Sequence, residues 1–192
     1  MKGLENAIRN LNSLDTRMVP QASAWAINRV AQKAVSVATR QVARNTVAGD
    51  NQVTGIPLKL VRQRVRVFKA SPSGKMTARI RINRGNLPAI KLGTAQVRLA
   101  RRGSRLLYRG SVLRVGKYLF RDAFIQQLAN GRWHVMRRMD GKKRYPIDVV
   151  KIPLSGPLTQ AFEDARSRII DKEMPKQLGY ALKQQLRLYL TR

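Results

Sequence analysis

The chain has no cysteine. That excludes disulfides, thiolate metal sites and cysteine nucleophiles. It has one histidine, His134, so a multi-histidine metal site within one chain is excluded too. Aromatic residues make up 6% of the sequence, thin for a surface that stacks bases. No apolar run approaches the ~20 residues needed to span a bilayer. The start, Met1-Lys2-Gly3-Leu4-Glu5, has no apolar signal-peptide core. Glycine-rich phosphate loops are missing: Arg84-Gly85-Asn86 and Arg102-Gly103-Ser104 are too short to cradle a nucleotide. The most telling shortage is of acid. Asp and Glu number 10 against 39 Lys and Arg, a formal net charge of +29.

That excess is uneven. Residues 51–121 carry 18 basic residues and no acidic one, so +18 of the +29 lies in one central segment. Arginine outnumbers lysine, 26 to 13. Guanidinium groups bind phosphates and carboxylates bidentately, so the expected partners are polyanions, acidic proteins or both. A length of 192 residues fits one domain, large enough to bury roughly 70% of its unfolded surface without staples.

The patterning predicts three regions within a single domain over 1–192: helical over 1–48, strand-rich over 56–153 and helical over 156–191. Leu4, Ile8, Leu11 and Met18 recur at helical spacing from about Gly3 to Arg17. Pro20 suits the first turn of a second helix, whose stripe is Ile27, Val30, Ala31, Ala34, Ala38 and Val42. Ala48–Asn51 reads as a loop. Residues 56–68 fit either a short helix after Pro57 or a strand ending in Val65-Arg66-Val67-Phe68. Ser71–Gly74 is a turn. Ala78–Ile82 alternates with period two, a half-buried strand with arginines on its wet face. Ala89–Leu92, Gln96–Ala100 and Ser111–Val115 are further strand candidates, and Arg101–Arg105 breaks the pattern, either as a flexible hairpin tip or as a segment disordered in isolation. Ala123–Leu128, Trp133–Arg138 and Ile147–Lys151 form a second set, with hairpin turns at Asn130-Gly131 and Asp140-Gly141. Ser155-Gly156-Pro157 opens a helix with Leu158, Phe162, Ala165 and Ile169 on one face. Pro175 either kinks it or starts another, and Leu178, Leu182, Leu186 and Tyr189 carry its apolar face onward. Helices, then strands, then helices imply an α+β fold: a mostly antiparallel sheet with long amphipathic N- and C-terminal helices and basic loops.

Catalytic groupings do not emerge. His134 alternates with Trp133 and Val135 on a strand, with no serine or paired carboxylate to complete a triad. Glu163 and Asp164 are neighbours on a helix and so point to different sides. Asp122, Asp140 and Asp148 could meet in space to bind a metal, but read better as isolated surface acids tied to nearby arginines. No enzyme activity, metal or other cofactor is expected. The chemistry lies with arginine. Arg79 and Arg81 share a strand face, with Arg62 and Arg66 in reach, and Arg98, Arg101, Arg102 and Arg105 form a second cluster. Both suit sequence-independent phosphate contact, with duplex backbone favoured by the shortage of aromatics.

An ordered series of residues then resembles one family. Ala123-Phe124-Ile125, Asn130-Gly131, Trp133-His134-Val135, Arg137, Arg144-Tyr145-Pro146-Ile147 and Pro153 are similar to the prophage minor tail protein Z family. So are Ala26-Ile27-Asn28-Arg29-Val30, Arg81–Gly85, Leu87-Pro88 with Ile90–Gly93, and Leu178–Leu182. The similarity covers nearly the whole chain. It implies a tail completion protein of a long-tailed phage, in the virion tail or neck and assembled in the bacterial host cytoplasm. It further implies a homo-oligomer, a hexameric ring at the head-proximal end of the tail. The neighbours would be the tail terminator and the head-completion or connector proteins, with double-stranded DNA in the lumen and no membrane contact. The motif residues Ala123, Phe124, Ile125, Gly131, His134, Arg137, Arg144, Pro146 and Ile147 would be structural.

Six chains would carry roughly +170, whereas a ring about 40 Å tall faces only about 24 phosphates at one per ~1.7 Å. Lumenal DNA would therefore leave charge for solvent or acidic neighbours. The alternatives are a stand-alone, sequence-independent nucleic-acid-binding protein and a peripheral membrane protein using residues 20–47.

Overall fold

In the computed structural model, the residues described are 14–102, 105–138 and 146–191, with backbone alone at 14–15, 98–102, 105–111 and 190. One π-helical turn, Leu14–Met18, runs into helix α1, Val19–Asn45. Pro20 is the second residue of α1, directly after the π-helical turn. Val30, Ala31, Ala34, Ala38 and Val42 are buried, so the stripe read from the spacing is the packed face. Thr39 and Thr46 are buried polar residues whose hydroxyls donate to the carbonyls of Val35 and Val42, each at 2.7 Å. The helix expected over Gly3–Arg17 lies mostly outside the described residues.

Among the described residues, twelve strands and two more α-helices follow. They are β1 (Val47–Ala48), β2 (Val53–Thr54), α2 (Leu58–Arg62), β3 (Val65–Phe68), β4 (Arg79–Ile82) and β5 (Leu87–Pro88). Next come β6 (Ala95–Arg102), β7 (Arg105–Val115), β8 (Tyr118–Arg121), β9 (Ala123–Gln127) and β10 (Trp133–Arg138). The last are β11 (Ile147–Val149), β12 (Lys151–Ile152) and α3 (Ser155–Leu190). Every strand pair is antiparallel, as expected for an α+β chain. The pairs form five small sheets: β1-β2, β3-β4, β12-β5, β6-β7-β8 and β11-β10-β9.

Several local readings change. Residues 56–68 hold both options in turn, a short helix after Pro57 and then a strand. Ala89–Leu92 is a 3-10 turn, not a strand. At three residues per turn it puts Ala89 and Leu92 on one buried side and leaves Lys91 exposed, which period two cannot do. Arg101, Arg102 and Arg105 do not break the strands. They pair within the ladder, as Arg101↔Leu106 and Arg102↔Arg105. Ala48–Asn51 belongs to a small hairpin, with Val47↔Thr54 and Ala48↔Val53 paired. Pro175 lies inside one continuous 36-residue helix. The apolar face of that helix is half-buried at Leu178 and Leu182 but exposed at Leu186 and Tyr189. Asn130-Gly131 is the β9–β10 turn, with Gly131 at φ +73°, and Asp140-Gly141 lies outside the described residues.

The chain divides into two units, 1–39 with 65–83 and 160–192, and 40–64 with 84–159. The first has a small-residue core: Ala22, Ala26 and Ala181, with Met174, Leu178 and Leu182 packed against them. A Lys33–Glu173 ion pair of 2.7 Å joins the same two helices. The Lys33 hydrogen bond holds the Glu173 carboxyl below its ordinary range. The second unit buries larger side chains, including Tyr118, Leu87, Leu113, Leu154 and Leu158. Each such leucine contributes about 1.5–3 kcal/mol by burial.

Candidate nucleic-acid interface

In the first unit β3 and β4 form a two-stranded ribbon. Val65, Val67, Ile80 and Ile82 are half-buried, while Arg66, Phe68, Arg79 and Arg81 are exposed. Strand alternation puts those four on one face. In register, Phe68 lies opposite Arg79 and Arg66 opposite Arg81. Two like charges directly opposite each other destabilise a ladder by a few tenths to about 1 kcal/mol. Among the described residues no carboxylate pairs with Arg66, Arg79 or Arg81. Phe68 is 51% exposed, as are Trp133 and Tyr180 to a greater degree elsewhere in the chain.

The connection from β3 to β4 adds two lysines. Asn28 of α1 holds Ala70 from both sides: its Nδ2 donates to the Ala70 carbonyl at 2.9 Å and its Oδ1 accepts from the Ala70 N–H at 2.7 Å. The Ser71–Gly74 turn closes through Gly74 N–H to Ser71 O at 3.3 Å, and Ser71 N–H to Lys75 O at 3.2 Å. An open concavity of about 550 Å³ results, lined by Phe68, Lys69, Lys75, Thr77, Arg79 and Arg81. Of the arginines expected near Arg79 and Arg81, Arg66 is their cross-strand neighbour, while Arg62 belongs to α2 in the second unit.

The second cluster lies on the β6–β7 ribbon. Arg98 is opposite Val112, a register shift follows before Ala100, and Arg102 pairs with Arg105 at the last rung described. Four expected phosphate-contacting positions thus share one long antiparallel ribbon in the second unit.

Other arginines are consumed by the fold. The Arg64 guanidinium donates to the Gly85 carbonyl, and to that of Asn86 at 3.0 Å. Burial pushes its pKa down. Arg137 Nη2 meets Asp50 Oδ2 at 2.6 Å, and the same oxygen accepts the Arg121 N–H at 2.7 Å. Asp50 sits in the β1–β2 hairpin, which grips β8 along its length. Asp50 N–H donates to Leu119 O at 2.8 Å, and Asn51 bonds Lys117 O and Leu119 N–H, each at 3.1 Å. The Tyr118 hydroxyl donates to the Gly55 carbonyl, and burial raises its pKa. Sequence reading treated Gly49-Asp50-Asn51 only as a loop. The one available signal was that Asp50 directly precedes the acid-free segment.

The family-motif residues fall on β9–β11. Ala123 is buried opposite Arg137, Phe124 is opposite Met136 and Ile125 is opposite Val135. Ile147 is opposite Arg138, whose guanidinium lies 5.7 Å from the Phe124 ring centroid. His134 is half-buried opposite Gln126, and its Nδ1 is buried without a partner, as is Arg137 Nε. Gly131 occupies the hairpin turn and Pro146 is exposed. Arg144 lies outside the described residues. Asp148 accepts from the Val149 N–H at 2.6 Å and approaches Lys151 at 3.9 Å. Among the described residues no group of three or more metal-ligating side chains is assembled, and no helix is long and apolar enough to cross a membrane.

Together these features define an antiparallel α+β protein whose exposed chemistry is cationic. The chain belongs to the family described as Prophage minor tail protein Z (GPZ), which it matches over residues 1–192. It is 54% identical over 192 residues to the tail completion protein of Escherichia phage N15, covering 100% of this chain and 99% of that protein. It is 50% identical over 199 residues to the tail completion protein Z of Escherichia phage lambda, with the same coverage. No solved structure matches the chain.

Proposed function

We propose that this chain is a tail completion protein, a non-enzymatic structural component of a phage virion tail. Full-length similarity to two proteins bearing that description carries the reading. More finely, it acts as a homo-oligomeric, hexameric ring at the head-proximal end of the tail, in the neck. There it contacts the tail terminator and the head-completion or connector proteins. Double-stranded DNA passes through or is positioned in its lumen, and assembly takes place in the host cytoplasm. The whole of 1–192 works as one domain, since α1 and α3 each contribute residues to both units. The duplex contact is supported by the arginine positions of β6–β7, and nucleic-acid contact of either form by the β3–β4 cations that the fold leaves without carboxylates.

The test is a phage lacking the gene. Its particles should be unjoined or noninfectious and should be rescued by the full chain in trans, with the chain co-purifying with tails. Normal infectious particles without it would contradict the proposal. Duplex binding that persists without any tail association would favour a stand-alone nucleic-acid-binding protein.

A further inference from the structure

We propose that the β3–β4 concavity binds an unpaired nucleic-acid strand, with phosphates on the arginines and a base stacked on Phe68. This deepens the DNA-contact reading above and rests on it. Two features of the site select this ligand over a duplex backbone. The first is charge: Arg66, Arg79 and Arg81 stand exposed on one face, Lys69 and Lys75 border it, and no described carboxylate pairs with any of them. Arg66 directly opposite Arg81 is a repulsive pair that a bound phosphate would convert to an attractive one. Arg79 and Arg81 alternate along one strand, about 6.6 Å apart at the backbone, so they can take successive phosphates of an extended strand.

The second feature is the aromatic. Phe68 is half exposed beside Arg79, in a hollow of about 550 Å³. A duplex offers phosphates but hides its base faces. An acidic peptide offers carboxylates but no extended planar face for each charge. Only an unpaired strand presents anions and π-faces in alternation, the combination that cationic grooves with stacking aromatics recognise. Arginine beside the ring adds a second surface for stacking. The β6–β7 arginines stand on a different ribbon and are not required for this contact.

The experiment uses the full chain and an oligodeoxythymidylate of about 12 nucleotides, alongside a duplex of equal length. Phe68→Ala should weaken single-strand binding about 10-fold, the scale of one lost stacking contact, and leave duplex binding within about 2-fold. Arg66→Ala with Arg81→Ala should weaken the single strand more than the duplex. Because Phe68 is on the surface, circular dichroism and thermal melting should be unchanged in its variant. A photo-crosslink from an iodouracil-substituted oligonucleotide should map to 65–81. Equal losses on single strand and duplex, or crosslinks confined to other segments, would overturn the proposal. Competition by polyglutamate that is insensitive to Phe68→Ala would assign the hollow to an acidic protein instead. These binding results are read independently of phage complementation, so failure here leaves the tail completion reading standing.

Discussion

The second unit and the β3–β4 ribbon use the same residue in opposite ways. In the second unit Arg64 and Arg137 are tied to Gly85, Asn86 and Asp50. On the ribbon Arg66, Arg79 and Arg81 are exposed with no described carboxylate beside them. An arginine with a fixed internal partner contributes to stability, and removing either member leaves a charge or donor unsatisfied. An arginine without one adds repulsion to the free protein and becomes favourable only when an anion arrives. Among the described residues, arginines thus include some held by internal partners and some, on this ribbon, with no carboxylate beside them and open to a ligand.

The largest effect expected from this contrast is at Asp50. One of its oxygens takes both Arg137 Nη2 and the Arg121 N–H. Asp50→Ala should cost about 2 kcal/mol, read from the urea midpoint, below the value for a fully buried pair because both side chains are about one-third exposed. A change under about 0.5 kcal/mol would erase the distinction between the two populations. Gly49→Ala should cost about 1–2 kcal/mol in the same assay. Its φ is +79°, and a Cβ there would meet the Leu119 carbonyl and Tyr118 Cβ at 3.1 Å.

Arg66→Ala should do the reverse and leave stability unchanged or raise it by a few tenths of a kcal/mol, since it removes a like-charge pair. Clear destabilisation would show that Arg66 also has an internal role. The smallest effect concerns pH. Lys33 lowers the Glu173 carboxyl below its ordinary value of 4.5. A depressed acid contributes stability above its unfolded pKa and loses it as pH falls through its folded pKa. Lys33→Met should therefore flatten the pH dependence of stability in that acidic window and raise the Glu173 pKa, followed by NMR titration.

How much of this was legible in the sequence depended on whether the cause was local. Arg79–Ile82 announced its strand by period two, Asn130-Gly131 announced its turn, and α1 announced its buried stripe through small apolar residues. Ala89–Leu92 misled because four residues are too few to separate a period of two from three, and burial at Leu92 decided it. Arg101–Arg105 looked like a break because three arginines and a glycine interrupt the alternation, yet Arg101, Arg102 and Arg105 are paired in the β6–β7 ladder. The strand positions of Arg79 and Arg81 followed from the alternation, but Phe68 opposite Arg79 needed the register. Asp50 was beyond reach, since its partners Arg121 and Arg137 are 71 and 87 residues away.

The central claim is that unpaired arginines, rather than total charge, make the nucleic-acid contact. The most direct test is the salt dependence of oligonucleotide affinity for the wild type, Arg137→Ala and the Arg66→Ala/Arg79→Ala/Arg81→Ala variant. Each cation that leaves a phosphate of a single strand should reduce the slope of log K against log salt by about 0.7. The triple variant should therefore be shallower by about 2, with Arg137→Ala matching the wild type. Equal slopes for all three proteins, or the same loss from Arg137→Ala as from the ribbon, would contradict the account.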